Sequence, residues 1–130
     1  MNNFKFSDSS RIRMSGVDAR LIRIANRAIQ ISRVDFGIPK HGGRRSRKVQ
    51  LSLFVDKKSK CDGLDNISNH QKGIALDVYA YVDGKASWDE YHLSMVACAM
   101  LQAASELGYK LKWGGLWKSW QDMPHFELDE

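Results

Sequence analysis

The sequence predicts an α+β fold: one small domain over residues 1–130, in which a short, mostly antiparallel sheet is flanked by helices and leaves a cleft on one face. Two stretches carry apolar residues at helical spacing, and three short segments alternate apolar and polar residues at strand spacing. A length of 130 residues suffices to bury one core without disulfides or repeats.

The opening segment "MNNFKFSDSSRIRM" has neither an apolar stretch behind a basic start nor a small-residue cleavage pattern. It therefore gives no secretory signal, and the chain is expected in the cytoplasm where it is made. In "SGVDARLIRIANRAIQIS", Val17, Leu21, Ile24, Ala28 and Ile31 recur at steps of four and three and line one helix face, with the arginines on the other. Pro39 and the Gly42-Gly43 pair exclude a continuous helix through "DFGIPKHGGRRSRKVQ". A short extended piece, a tight turn and a helical turn toward Phe54 are predicted instead. From there to Asn69 the chain is polar, lysine-rich and turn-prone.

Residues 74–82 read as one strand, with Ile74, Leu76, Val78 and Ala80 on one face and Ala75, Asp77, Tyr79 and Tyr81 on the other. A tight turn is expected at Asp83-Gly84. Ser87 and Glu90 form a capping-box pattern before the long run "WDEYHLSMVACAMLQAASEL", whose helix should end at Gly108. "YKLKW" and "HFEL" are short alternating segments that can join the sheet, separated by a loop rich in tryptophan and glycine. Cys98 falls on the apolar face of the long helix and Cys61 in a distant polar loop, so both are expected as free thiols.

The chain is 43% hydrophobic and 27% charged, and no apolar run approaches the roughly 20 residues that span a bilayer, which excludes membrane insertion. A net charge of +5 points to an anionic partner in the broad sense. The basic stretch 40–48 lacks interleaved aromatics and no DNA- or RNA-binding motif is present, so no specific nucleic-acid partner is expected.

Chemistry concentrates in "SNHQKGIALDVYAY" and "WQDMPHFELDE". Alternation turns Asp77 away from the core. His70 lies seven residues earlier and would be roughly 23 Å away in an extended chain. Gly73, able to adopt positive φ, lets the chain fold back and bring the two together. His125 opens the last strand, with Glu127 on its face and Phe126 and Leu128 on the other; beside the first strand, His125 meets Asp77. Two imidazoles and one carboxylate, with a fourth position left for water, suit a single catalytic Zn2+. Asp122 is the candidate base for that water, because Pro124 disfavours helix at Met123 and leaves a bend that can aim Asp122 and His125 into one cleft. His92, on the long helix, is read as an ordinary core or surface residue and not as a ligand.

These residues carry a resemblance. "SNHQKGIALD" resembles the Ser-x-His-x-x-Gly-x-Ala-x-Asp signature of zinc peptidases that cut bacterial cell-wall peptides, and "DMPHFEL" resembles their Asp-x-x-His-x-Glu motif. The likeness is nearest to the small phage-type L-alanyl-D-glutamate endopeptidases of the D-Ala-D-Ala carboxypeptidase-like family, and it covers residues 36–128. It implies zinc held by His70, Asp77 and His125, with Asp122 as general base. Arg45 would bind a substrate carboxylate or steady the oxyanion; it is chosen over Arg44 because Gln50 then falls at the family's spacing behind it. Ser68 would support the cleft by hydrogen bonding, Glu127 shares the face of His125 and would either orient a ligand imidazole or pair with a cation at the sheet edge, and Trp117 and Trp120 would wall the cleft, with Trp113 either joining them or packing in the core.

The resemblance implies hydrolysis of the L-Ala-D-Glu bond of peptidoglycan stem peptides by a monomeric phage or prophage endolysin. Such a protein waits in the host cytoplasm until a separate holin-like protein opens the inner membrane. A D-Ala-D-Ala carboxypeptidase is the alternative enzyme, although those relatives usually carry glutamate where this chain has Asp122. A non-catalytic module that binds cell wall or nucleic acid is the alternative of another class.

Overall fold

The computed structural model describes residues 2–130. Among the described residues there are four α-helices, a short 3-10 turn at Gly114–Leu116 and two three-stranded antiparallel sheets. Helix α1 (Asp8–Arg13) begins at Ser7, whose hydroxyl accepts the Ser10 amide. Helix α2 (Ala19–Ile31) begins at Asp18, whose carboxylate accepts the Arg20 amide. Its buried face is Leu21, Ile24, Ala25, Ala28 and Ile29, ending two residues before the predicted stripe because Ile31 is only half-buried.

Strand β1 (Asp35–Gly37) and helix α3 (Arg47–Val55) realise the extended piece and helical turn on either side of the glycine pair. Helix α4 (Glu90–Leu107) packs against α2 and ends at Gly108, whose φ of 78° is the left-handed cap a glycine supplies. Alanines at 25, 28, 97, 103 and 104 are all buried on these two helices, and short side chains let such backbones approach closely.

The capping box is not used. Ser87 belongs to β4 (Lys85–Ser87), so Asp89 caps α4 by accepting the Tyr91 amide, and the Ser87 hydroxyl instead bonds His92 Nδ1 at 2.8 Å. Cys98 is also not where the apolar pattern put it. The buried stripe of α4 runs through Leu93, Val96, Ala97, Met100 and Ala104, and the intervening Cys98 faces solvent. Both cysteines are free thiols.

The predicted single strand over 74–82 is two. Strand β2 (Ala75–Asp77) pairs with β6 (His125–Leu128), which also pairs with β5 (Leu111–Trp113). Strand β3 (Tyr79–Val82) pairs with β1 and β4 in the other sheet. The break falls at Val78, whose N–H donates to the Pro124 carbonyl. Pro124 has no N–H to return, so the β2–β6 ladder cannot extend past it. Alternation holds across the break, where Leu76, Val78 and Ala80 are fully buried and Asp77, Tyr79 and Tyr81 are not, but it fails at the start of β2, where Ala75 is fully buried and Ile74 only partly. The β3–β4 turn sits at Asp83 and Gly84, both at positive φ as the hairpin requires. Among the described residues, no helix is long and apolar enough to cross a membrane.

Candidate functional site

Antiparallel register sets Asp77 directly opposite His125, so their side chains emerge as cross-strand neighbours. His70 reaches the same point from a tight turn. Ser68 stabilises that turn: its carbonyl accepts the Gln71 and Lys72 amides and its hydroxyl also meets the Gln71 amide. Gly73 then reverses the chain at φ 77°, the conformation expected of it, and its carbonyl is tied to the Asp18 amide at 2.7 Å.

Three atoms converge. His70 Nε2 lies 3.3 Å from Asp77 Oδ1, His125 Nδ1 lies 3.1 Å from the same oxygen, and the two imidazole nitrogens are 3.3 Å apart. Zinc with ligands at about 2.0–2.1 Å in a tetrahedron requires ligand atoms separated by about 3.3–3.4 Å. The described residues therefore fit such an ion, and His70, Asp77 and His125 could hold a metal.

The outer nitrogens fix which atoms face inward. His70 Nδ1 donates to the Gly43 carbonyl at 3.0 Å, leaving Nε2 as the lone-pair atom. His125 Nε2 donates to Glu127 Oε1 at 2.7 Å, so the neutral ring presents Nδ1. The other Glu127 oxygen accepts from Asn69 Nδ2 at 2.9 Å. Asp77 presents only Oδ1 inward, because Oδ2 takes the Arg45 guanidinium at 3.1 Å.

Charge follows from this packing. Burial resists ionisation of Asp77, yet the imidazoles of His70 and His125 outweigh it and hold the carboxyl well below the usual range. Burial would likewise push the His125 imidazolium down, but hydrogen bonds to Asp77 and Glu127 carry its pKa up to about 9. The bond from His125 keeps Glu127 below its ordinary value. Asp122 moves the other way, raised by burial and then by the negative charge of Asp77.

Asp122 lines the same cleft, of about 340 Å³, together with Arg45, Ser68, Trp117, Glu127 and the three candidate ligands. Its backbone is held on both sides: its amide donates to the Gly114 carbonyl, and its carbonyl accepts the His125 amide. A side chain at Gly114 would overlap the Asp122 carbonyl, so only glycine permits this approach. Trp117 stands with its ring 5.2 Å from that of His125. Trp113 instead stacks on Phe126 and donates Nε1–H to the Met123 carbonyl, a packing role that steadies the bend after Asp122.

Of the adjacent arginines, Arg45 enters the cleft and Arg44 is exposed, its stem lying against Gly16. Arg45 also donates Nε–H to the His41 carbonyl at 2.8 Å and an N–H to Gln50 Oε1 at 3.2 Å. Gln50 is fully buried, and its Nε2 donates to Ser59 Oγ and the Cys61 carbonyl, each at 2.7 Å. Gln50 as this hub, Asn69 behind Glu127, and the Gly43 carbonyl behind His70 escaped the sequence reading. Only Gln50 had left a trace there, as a spacing.

The whole chain is similar to known peptidases. A family model described as phage L-alanyl-D-glutamate peptidase matches residues 2–129. The L-alanyl-D-glutamate peptidase of Escherichia phage T5 is 30% identical over 122 residues, spanning 90% of this chain and 84% of that protein. The crystal structure of Serratia marcescens L-Ala D-Glu endopeptidase ChiX superposes with a TM-score of 0.85 at 31% identity, covering 98% of this chain and 92% of that one.

Proposed function

This chain belongs to the phage L-alanyl-D-glutamate peptidase family, and on that premise we propose that it is an endolysin that hydrolyses the L-Ala-D-Glu amide of peptidoglycan stem peptides, using one zinc ion. The observation that carries the reading is the convergence of His70 Nε2, Asp77 Oδ1 and His125 Nδ1 at tetrahedral separations beside an uncommitted Asp122.

His70, Asp77 and His125 would hold the ion. When bound, it would supply Lewis acidity, polarising the scissile carbonyl and lowering the pKa of the attacking water. Asp122 takes that water's proton and returns it to the departing D-glutamyl amine. A carboxylate whose pKa is raised by burial suits both halves of this transfer better than an ordinary one. Glu127 fixes the His125 ring through Nε2 and leaves Nδ1 for the metal. Arg45 anchors the outer oxygen of Asp77, and two of its five N–H groups remain for developing negative charge or a substrate carboxylate. Ser68 keeps the His70 turn closed and Trp117 walls the cleft beside His125.

The phage relative supports a lytic role, in which the protein waits as a monomer in the host cytoplasm for a holin-like partner to open the inner membrane. Mass spectrometry of fragments released from purified peptidoglycan, with and without chelator, tests the reading. Chelator-sensitive release of peptides beginning at D-glutamate is expected. Free D-alanine, or no product from zinc-loaded protein, would overturn it.

A further inference from the structure

We propose that Lys60, assisted by Lys58, forms a subsite for the free α-carboxylate of the D-glutamyl residue on the leaving side of the scissile bond; this rests on the peptidase reading above. In a stem peptide the D-glutamyl residue continues through its γ-carboxyl, so its α-carboxylate stays ionised. The carboxylate carbon is two bonds from the scissile nitrogen, or roughly 2.5 Å. Any productive pose therefore carries a negative charge into the cleft that already holds Asp77, Asp122 and Glu127. The zinc charge and the Arg45 guanidinium are matched in number by those three carboxylates, so the incoming carboxylate calls for a cation of its own.

Arg45 is largely committed to His41, Gln50 and Asp77. Lys58 and Lys60 line the same cleft and, among the described residues, neither is paired with a carboxylate. The Lys60 ammonium lies 4.4 Å from the centroid of the Trp120 ring, which confines it by cation–π attraction while leaving its donors available.

The backbone of this wall is fixed in place. Lys60 sits between Ser59 and Cys61, both bonded to the buried Gln50, and Gln50 in turn holds Arg45. One framework thus ties Lys60 to the guanidinium that grips the candidate ligand Asp77. Three non-glycine residues among those described adopt positive φ: Asp83 in the β3–β4 turn, Lys57 and Trp120. Lys57 precedes the Lys58–Lys60 wall and Trp120 is its aromatic rest, and strain of this kind is retained where surrounding structure enforces a binding geometry. Lys57 takes the position past α3 normally given to glycine, and the Lys58 amide closes the turn onto the Leu53 carbonyl.

The test compares kcat/KM for two N-acetylated, C-terminally amidated tripeptides, L-Ala-γ-D-Glu-L-Lys and its D-isoglutamine counterpart, which differ only in the α-carboxylate. Wild-type protein should prefer the acid by about tenfold, the effect of one charge-assisted hydrogen bond. The Lys58→Gln/Lys60→Gln variant should bring the ratio near unity, Lys60→Glu should favour the amide, and Lys85→Gln, in the distant β3–β4 hairpin, should keep the wild-type ratio. Equal wild-type rates on the two peptides, or a double variant that slows both by the same factor, overturn the proposal. Failure of zinc-loaded wild type on both peptides would instead remove the peptidase reading, and this inference with it.

Discussion

Replacing Glu127 with alanine should weaken zinc binding about 10–100-fold, the range found when a partner behind a ligand histidine is lost. The loss should be larger near pH 9.5 than near pH 7. Glu127 accepts from His125 Nε2 at 2.7 Å and is itself held by Asn69, so it sets both the tautomer and the angle of that ring. A hydrogen bond to a charged group contributes about 1.5–3 kcal/mol. At about 1.4 kcal/mol per decade, that amounts to one to two powers of ten in affinity. A second effect opposes the first. The same carboxylate helps raise His125 to about 9, and the proton on Nδ1 must leave before a metal can bind. With that pKa, proton competition weakens wild-type affinity roughly a hundredfold at pH 7 and very little near pH 9.5. The variant lowers the His125 pKa and recovers part of this competition at pH 7 only. Titration against a chromophoric chelator, with wild type measured at each pH, reads both effects. Unchanged affinity near pH 9.5, or a greater loss at pH 7, would refute the reasoning.

Asp122→Asn should lower kcat by about 10²–10⁴-fold while leaving zinc stoichiometry intact, measured by peptide turnover and metal analysis. Because burial and Asp77 raise the Asp122 pKa, the acid limb of the wild-type pH profile should lie above the ordinary carboxylate range and vanish in the variant. Metal-free protein should lose stability with alkali: His125 is raised from 6.5 to about 9, so its contribution is full below the unfolded value and disappears as pH rises through 9, readable as a falling Tm in chelator. Gln50→Leu should cost about 1–3 kcal/mol, because Arg45, Ser59 and the Cys61 carbonyl each lose a partner; denaturant unfolding would show it. His92→Ala should leave zinc content unchanged, since His92 bonds Ser87 and stands apart from the cleft.

The meeting of Asp77 and His125 was legible because strand alternation is a local rule, and one antiparallel pairing turns two alternations into a contact. His70 was legible through Gly73, whose positive φ supplies the fold-back that an extended chain forbids. Helix α3 hid its role for the opposite reason. Its hydropathy is inverted relative to its packing: Leu51, Phe54 and Val55 are exposed while Gln50 is fully buried. A buried glutamine satisfied by an arginine, a serine and a carbonyl is a tertiary fact, and no periodicity of nine residues encodes it. The division of residues 74–82 between two sheets was equally invisible, since it depends on a proline some forty residues later that ends the partner strand.

That division explains why a carboxylate can occupy the middle of an apolar run. Asp77 closes β2, and the chain enters the other sheet at Tyr79, so the cleft lies where the two sheets part rather than on an unbroken face. At such a seam, backbone from elsewhere can approach: the Gly42 carbonyl accepts the Asp77 amide, and the Gly43 carbonyl takes the His70 ring. The resulting pocket holds Asp77 and Glu127 as anions well removed from water, which is tolerable only when cations accompany them. Arg45 is one cation, its guanidinium 3.1 Å from Asp77 Oδ2. The second position, between Asp77 Oδ1 and the two imidazoles, is taken by a proton on His125 in the metal-free chain. The elevated His125 pKa and the tetrahedral spacing of three ligand atoms are thus two expressions of one electrostatic demand, which a divalent ion satisfies with more charge than the proton it displaces.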